Sequence, residues 1–288
     1  MTEPPTRPLL RYLGGKWRLA PWIIGHFPAH RIYVEAFGGS FSVGLQKERA
    51  YNEVYNDLDD ELVNLFEVIR GPAGPELVRQ IRFTPYSRVE YLRAHRRTDD
   101  PVERARRLII RSQMGHGNNA TQMDRPKGFR SDGTQGKTRV AGEWGDFPSV
   151  LEAVIARFSG VSIEHKPAAK LIEYWNDPQV LLYLDPPYVP ETRSTKARHG
   201  DGYHTYGHEM SIDDHHALLE QVQASKSMIV ISGYPSEIYD KALKGWTRRE
   251  GRARAYRNKP ATEILWLNPA CVAALEHGPL FNGAGANA

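Results

Sequence analysis

Residues 32–39 read Ile32-Tyr33-Val34-Glu35-Ala36-Phe37-Gly38-Gly39, a short apolar run that stops in two glycines. A run of that length ending in Gly-Gly reads as a strand and the sharp turn after it. On its N-terminal side, Trp17 to Phe27 carries apolar residues at helical spacing; on its C-terminal side a helix is expected through about Glu48. Ala50 to Asn56 reads as a second strand ending at Asp57, and Glu61 to Ile69 has the i, i+3, i+4 pattern of the next helix. Strands and helices alternating in this way predict an α/β fold with a parallel sheet.

Further along, sheet patterning returns at Val161 to Glu164, Val180 to Leu184, Ser227 to Ser232 and Thr262 to Leu267. Asp213 to Ala224 reads as a helix with Ser211 as its N-cap and Asp213 and Asp214 near its positive end. Between the two halves the character changes. Pro72, Gly74 and Pro75 act as breakers, two arginine-rich helical stretches follow near Ser87 to Thr98 and Pro101 to Ser112, and Met114 to Trp144 has no period at all. Loops of that length inside a compact domain are usually either functional or disordered. The expected organisation is a twisted, mostly parallel α/β domain formed by residues 1–70 and 151–288, with a largely helical lobe inserted at 71–150.

The chain of 288 residues is long enough for such a domain and lobe, and none of its apolar runs approaches membrane-spanning length. Met1 to Pro8 is polar and proline-rich and does not read as a secretory signal, so a cytoplasmic protein is expected. Cys271 is the single cysteine, which excludes an intramolecular disulfide, a CxxC redox pair and a cysteine-rich zinc site. The net charge of +4 decides little; its distribution says more, because basic residues crowd into Arg88 to Arg139 and Lys241 to Lys259.

The strongest chemical signal is Leu181-Leu182-Tyr183-Leu184-Asp185-Pro186-Pro187-Tyr188, an apolar strand ending in a carboxylate, two prolines and an aromatic ring. The exocyclic amino group of a nucleobase is a poor nucleophile because its lone pair is delocalised into the ring. Acceptors for both N–H bonds let that nitrogen become tetrahedral: Asp185 offers a carboxylate oxygen, and Pro186 a backbone carbonyl fixed by the rigid proline pair. Tyr188 supplies a face for stacking. The competing account is a strand followed by an ordinary Pro-Pro turn. Gly38 and Gly39 allow the backbone to approach a ligand closely. Asp57, about 20 residues on at the end of the second strand, is placed to hold a ribose hydroxyl pair, or serves as a helix N-cap. In Arg11-Tyr12-Leu13-Gly14-Gly15-Lys16-Trp17, Lys16 is a candidate for a cofactor carboxylate with Tyr12 packed beside it. The triplet is too short for the GxxxxGK[ST] phosphate loop, which disfavours a nucleoside triphosphatase.

Taken in order, Arg11 to Lys16, Val34 to Gly39, Tyr55-Asn56-Asp57 and Asp185 to Tyr188 resemble the DNA adenine-N6 methyltransferases of the Dam-like D12 class. Their arrangement is that of the alpha group, and phage and prophage enzymes are the nearest branch. Ile231-Ser232-Gly233-Tyr234 and Thr262 to Pro269 extend the resemblance over nearly the whole chain outside 71–150. It implies a Rossmann-like S-adenosyl-L-methionine-dependent fold. Tyr12, Lys16, Glu35, Phe37, Gly38, Gly39, Asp57 and Asp185 would surround the cofactor, and Asp185, Pro186 and Tyr188 the target base. Transfer would be direct, without metal or covalent intermediate. Enzymes of N4-cytosine more often carry serine in place of Asp185, which favours adenine; a catalytically silent DNA-binding adaptor is the rival from another class.

Two departures stand out: Ser40 and Phe41 follow the glycine pair where such enzymes often have glycine, and Pro167 stands where they commonly carry an aspartate against the cofactor's adenine. Glu164 and His165 are the candidate substitutes. The implied partner is double-stranded DNA, with a restriction endonuclease as companion where the enzyme is half of a restriction–modification pair; no obligate protein partner is indicated. In the 71–150 lobe, Arg104, Arg106, Arg107, Arg111, Lys127, Arg130, Lys137 and Arg139 are candidates for phosphate contacts, and Asn118, Asn119 and Gln122 for reading adenine edges. A solvated basic face is the competing account for each of them.

Overall fold

The computed structural model describes residues 4–117, 120–121, 128–131, 139–189, 209–254 and 260–277. Seven strands form one sheet: β1 (Ile32–Glu35), β2 (Asn52–Asn56), β3 (Ser162–Glu164), β4 (Val180–Leu184), β5 (Met228–Gly233), β6 (Thr247–Arg254) and β7 (Pro260–Leu267). Their order is β3-β2-β1-β4-β5-β7-β6. The pairings from β3 through to β5 are parallel, and β7 runs antiparallel between β5 and β6. The fold is thus the Rossmann-like α/β sheet expected from the chain's alternating pattern.

Alternation along the strands builds two apolar layers. Tyr33, Tyr55, Leu181, Tyr183 and Val230 belong to one cluster, while Val34, Val54, Leu182, Leu184 and Ile231 belong to the other. Every residue of β4 is buried, as a central parallel strand covered on both faces requires. Over the first face lie α1 (Ala20–Ile24), α2 (Asp60–Arg70), α3 (Gly74–Arg82), α4 (Arg88–Arg93), α5 (Pro101–Met114), α6 (Val140–Gly145) and α7 (Phe147–Phe158). Over the second lie α8 (Ala168–Tyr174), α9 (Ile212–Gln223) and α10 (Glu237–Ala242), and the closing α11 (Pro269–His277) returns Cys271 and Ala274 to the first.

Several expectations are corrected. No helix follows Gly39: residues 37–50 form a series of turns, because Gly39 (φ 51°) and Phe41 (φ 53°) both leave the right-handed helical region. Pro72 sits in the turn that separates α2 from α3, as a breaker should, whereas Gly74 and Pro75 start α3, with Pro75 in the first turn, where a missing N–H costs nothing. Leu77, Ile81, Leu108 and Ile109 join the same cluster as the sheet residues, and α7 crosses position 150, so α3 and α5 are part of the layer that covers the sheet. Strand β6 was not expected, since Thr247–Arg254 alternates charge with charge; on a sheet edge those charges discourage pairing with another chain. Helix α9 forms as expected, with a reciprocal capping box between Ser211 and Asp214. Among the described residues no helix is long and apolar enough to cross a membrane.

Arg111 is a core residue: only 5% exposed, it bonds Glu61 Oε2 at 2.7 Å and the carbonyls of Ala94 and Ala120. Truncation leaves those acceptors buried, although Arg104 still reaches Glu61. Arg111→Ala should lower unfolding free energy by about 3 kcal/mol, read from urea denaturation; a change within experimental error would contradict a structural role.

Candidate active site

Strand order reverses between β1 and β4, and at such a switch point the chains that leave the carboxyl ends of the strands diverge and open a crevice. Here the crevice is a cavity of about 610 Å³. Its wall is assembled from the segments after β1 (Phe37 to Ser40), β2 (Asp57 to Asp59), β3 (Pro167 to Ala169) and β4 (Asp185, Pro187), closed by Tyr12 to Lys16 and one side of α9. Each of Tyr12, Lys16, Glu35, Phe37, Gly38, Gly39, Asp57 and Asp185 lines it, so residues far apart in the chain and expected to act together are brought to one wall.

The glycine pair is required by space. A Cβ on Gly38 would lie 2.3 Å from the Tyr55 ring and 2.9 Å from the Asn56 carbonyl, and Gly39 occupies left-handed backbone. Phe41 occupies the left-handed region too, at a cost of order 1 kcal/mol; its fully buried ring, edge-on to Tyr55, Phe66 and Phe158, holds it there. The turn thus tolerates Phe41, one of the two departures noted from the resembled pattern.

Glu35 is 2% exposed. Its Oε1 accepts from Tyr33 OH at 2.8 Å and from the Gly44 N–H at 3.2 Å, while its buried Oε2 has no hydrogen-bond partner among the described residues. Burial pushes this carboxyl up to about 8 despite those two donors. An orphaned carboxylate oxygen at the cavity wall suits an ammonium group. Asp57 accepts the Gly39 N–H on Oδ2 and the Asp59 N–H on Oδ1, and burial raises its pKa against those bonds. It is not the helix N-cap; Asp59 caps α2. Asn56, whose role sequence reasoning missed, donates to the Ala36 and Lys166 carbonyls and accepts from the Lys166 N–H, tying together the segments after β1, β2 and β3.

Lys16 departs from its expected role. Its ammonium, 4% exposed, lies 2.8 Å from Asp185 Oδ1, 2.8 Å from Tyr188 OH and 3.0 Å from the Gly14 carbonyl, so its three hydrogens are committed within the protein. Glu263 Oε1 stands 3.5 Å away. Burial alone would drive this ammonium toward the neutral form, but Asp185 and then Glu263 outweigh it and hold its pKa well above the usual lysine value. Lys16 therefore orients Asp185 and Tyr188 and has no hydrogen left for a ligand carboxylate. Ser232 Oγ, itself paired with Tyr183 OH, also donates to Asp185 Oδ1 at 2.8 Å. Both donors converge on Oδ1, which leaves Oδ2 as the acceptor for a ligand N–H.

Pro186 and Tyr188 border a small neighbouring pocket with Ser232, Tyr234 and Trp266. The Tyr188 ring stacks on Tyr234 at 4.2 Å between centroids, which makes an aromatic shelf beside the carboxylate. At the far end of the cavity, Pro167 caps α8 and lines the wall with Ala168 and Ala169. Neither proposed substitute is there: Glu164 pairs with Lys166, and half-exposed His165 faces Leu58 O and Asp60. Gln221 of α9 also lines the cavity and donates to the Ala169 carbonyl. Glu263, Ser232 and Tyr234 were not assigned to the site from sequence, although the resemblance ran through Ile231 to Tyr234 and through Thr262 to Pro269, where Glu263 stands just before the apolar run Ile264 to Leu267.

The arginine set divides. Arg104 pairs with Glu61, Arg106 with Glu103 and Glu90, and Arg107 with Glu103 and the carbonyls of Arg96 and Arg97. Arg111 is buried, and Arg130 bonds the Gln113 carbonyl. Arg139 is exposed. Asn118, Asn119, Gln122, Lys127 and Lys137 lie outside the described residues. Arg96 and Arg97, just after α4, are exposed and form no ion pair among the described residues. Thr121 hydrogen-bonds Asp59, which places this part of the 71–150 segment at the cavity rim.

The family model of the D12 class N6 adenine-specific DNA methyltransferases matches residues 12–254. No curated protein matches the chain. With most of its length covered, including every segment that walls the cavity, the chain belongs to that family and is an enzyme of adenine-N6 DNA methylation, which decides against the cytosine and silent-adaptor readings.

Glu35 gives a sign-specific expectation. A carboxyl that titrates at about 8 when folded and at the ordinary 4.5 when unfolded binds its proton more tightly in the fold. It therefore costs stability progressively as pH rises between those values. Glu35→Gln removes this titration, so its thermal midpoint should match wild type at about pH 5 and exceed it by about 3 °C or more at about pH 9. Calorimetry of the ligand-free protein reads this, and a difference that does not change with pH would contradict a buried neutral carboxyl.

Proposed function

We propose that the enzyme moves the methyl group of S-adenosyl-L-methionine to adenine N6 in double-stranded DNA, at a specific sequence, with the target base turned out of the helix. The observation that carries this reading is the meeting of Glu35 Oε2, Asp57 and Asp185 Oδ2 in one cavity beside the Tyr188–Tyr234 shelf. The residues fit the cofactor. Glu35 Oε2 would take the amino group of its amino-acid end, Asp57 its ribose hydroxyls, and Gly38 and Gly39 permit close approach of the backbone. S-adenosyl-L-methionine supplies a methyl group on a cationic sulfur, which becomes a neutral thioether on transfer.

Asp185 Oδ2 and the Pro186 carbonyl accept the two N6 hydrogens, which frees the nitrogen lone pair. The carboxylate then stabilises the positive charge that N6 gains as its bond to carbon forms. Tyr188 stacks on the extruded base and holds it in line. Lys16 and Ser232 keep Asp185 Oδ1 fixed, so that Oδ2 has one orientation. The order of segments, cofactor residues first, then 71–150, then Asp185 to Tyr188, supports placement in the alpha group, and the 71–150 segment is the DNA-reading part. Within it, exposed Arg96, Arg97 and Arg139 are better placed for phosphates than Arg106 and Arg107, which are engaged by carboxylates.

The test is purified protein incubated with duplex DNA and S-adenosyl-L-methionine, followed by nucleoside mass spectrometry. Asp185→Ala should lower the rate of N6-methyladenine formation by at least about 10²-fold while DNA affinity stays within about twofold; undiminished methylation would remove Asp185 from the catalytic role. Arg96→Gln with Arg97→Gln should reduce the slope of log affinity against log salt by about 2. An unchanged slope would take DNA off this surface.

A further inference from the structure

Glu263 is one of the least exposed charged groups in the molecule, at 1%, and it does not line the cavity. It projects from β7 into the space behind the Asp185–Lys16 pair, with Oε1 3.5 Å from the Lys16 ammonium. Its carboxylate also accepts the Tyr188 hydroxyl at 3.3 to 3.4 Å. Among the described residues the closest acceptors of the ammonium are Asp185, Tyr188 and the Gly14 carbonyl, and Glu263 is a fourth, longer partner that three N–H bonds do not require. Charge does. Without Glu263 the buried lysine would cancel Asp185, and this part of the site would be neutral. With it the three groups sum to one negative charge. Burial raises the Glu263 pKa and the Lys16 ammonium opposes that shift, as expected of a carboxylate kept in the interior by a cation.

We propose that Glu263 is a positioning residue that offsets the Lys16 ammonium, so that the Asp185 end of the cavity keeps a net negative charge and prefers a cationic sulfonium donor to the neutral thioether left after transfer. The inference rests on the S-adenosyl-L-methionine reading above and adds to it a reason why donor binds and product leaves. The two ligands share every hydrogen-bonding group and differ in one methyl and one charge at sulfur. Their affinity ratio therefore isolates the electrostatic effect from packing, which a merely structural role would change equally for both.

The experiment is isothermal titration of full-length protein, without DNA, with S-adenosyl-L-methionine and with S-adenosyl-L-homocysteine. Glu263→Gln keeps shape and removes the charge; it should reduce the donor-to-product affinity ratio by roughly tenfold, the order expected for one unit charge in the vicinity at an effective dielectric of about 20. The double variant Lys16→Met with Glu263→Gln removes the pair together, a change that buried ion pairs often tolerate. It leaves Asp185 as the single charge, so the donor should stay preferred over the product, which also covers the case in which the single variant fails to fold. An unchanged ratio in Glu263→Gln, or a double variant that no longer prefers the donor, overturns the inference. Failure of the wild-type protein to bind either ligand would instead overturn the cofactor reading on which it rests.

Discussion

A lysine ammonium sealed from solvent must be surrounded by oxygen, and in this molecule that requirement joins three distant parts of the chain. Lys16 comes from the segment before the first strand, Asp185 and Tyr188 from the end of β4, and Glu263 from the antiparallel β7. Removing Asp185 would leave the ammonium short of its nearest carboxylate in a medium that solvates charge poorly, so the segment before β1 and the end of β4 are held in register by this contact. Seating Lys16 fixes the Gly14–Gly15 turn over the cavity mouth; seating Asp185 fixes which of its oxygens faces a ligand. The Asp185 carboxylate, proposed above as the catalytic group, is thus oriented within the protein itself, which is the condition for electrostatic catalysis without reorganisation.

The opposite wall follows a different logic. Glu35 keeps one oxygen satisfied and one orphaned, Gly38 is pressed against the Tyr55 ring, and Phe41 holds a backbone angle that side chains avoid. Each feature costs stability locally, and the buried aromatic group of Phe41, Tyr55, Phe66 and Phe158 compensates. A binding wall built this way is destabilised when empty and relieved when a cation meets Glu35, which couples ligand binding to stability.

Much of this was legible in the residues. The parallel strands carry their burial in their composition, and the Gly38-Gly39, Asp57 and Asp185 positions announce themselves because close approach and charge at strand ends restrict the choice of residue. What stayed hidden had physical causes. Strand β6 is charged because it is an edge, so its period-2 signal is masked. The turns at 37–50 look helical in composition, and only the left-handed angles at Gly39 and Phe41 exclude a helix. Arg104, Arg106, Arg107 and Arg111 read as a basic face, yet Glu61, Glu90 and Glu103 reach them across helices, and spacing in one chain cannot reveal a pairing that depends on packing. Glu263 was invisible as a site residue for the same reason: its meaning lies in Lys16, far away in sequence.

The central claim is that Asp185 and its surroundings methylate adenine N6 in DNA at a defined sequence. The most direct measurement is long-read, modification-sensitive sequencing of DNA from a methylation-free bacterial host that expresses the chain. The account predicts N6-methyladenine confined to one short motif and absent from the host without the gene. Soluble protein with unmodified DNA, or methylation on cytosine N4 instead, would contradict it.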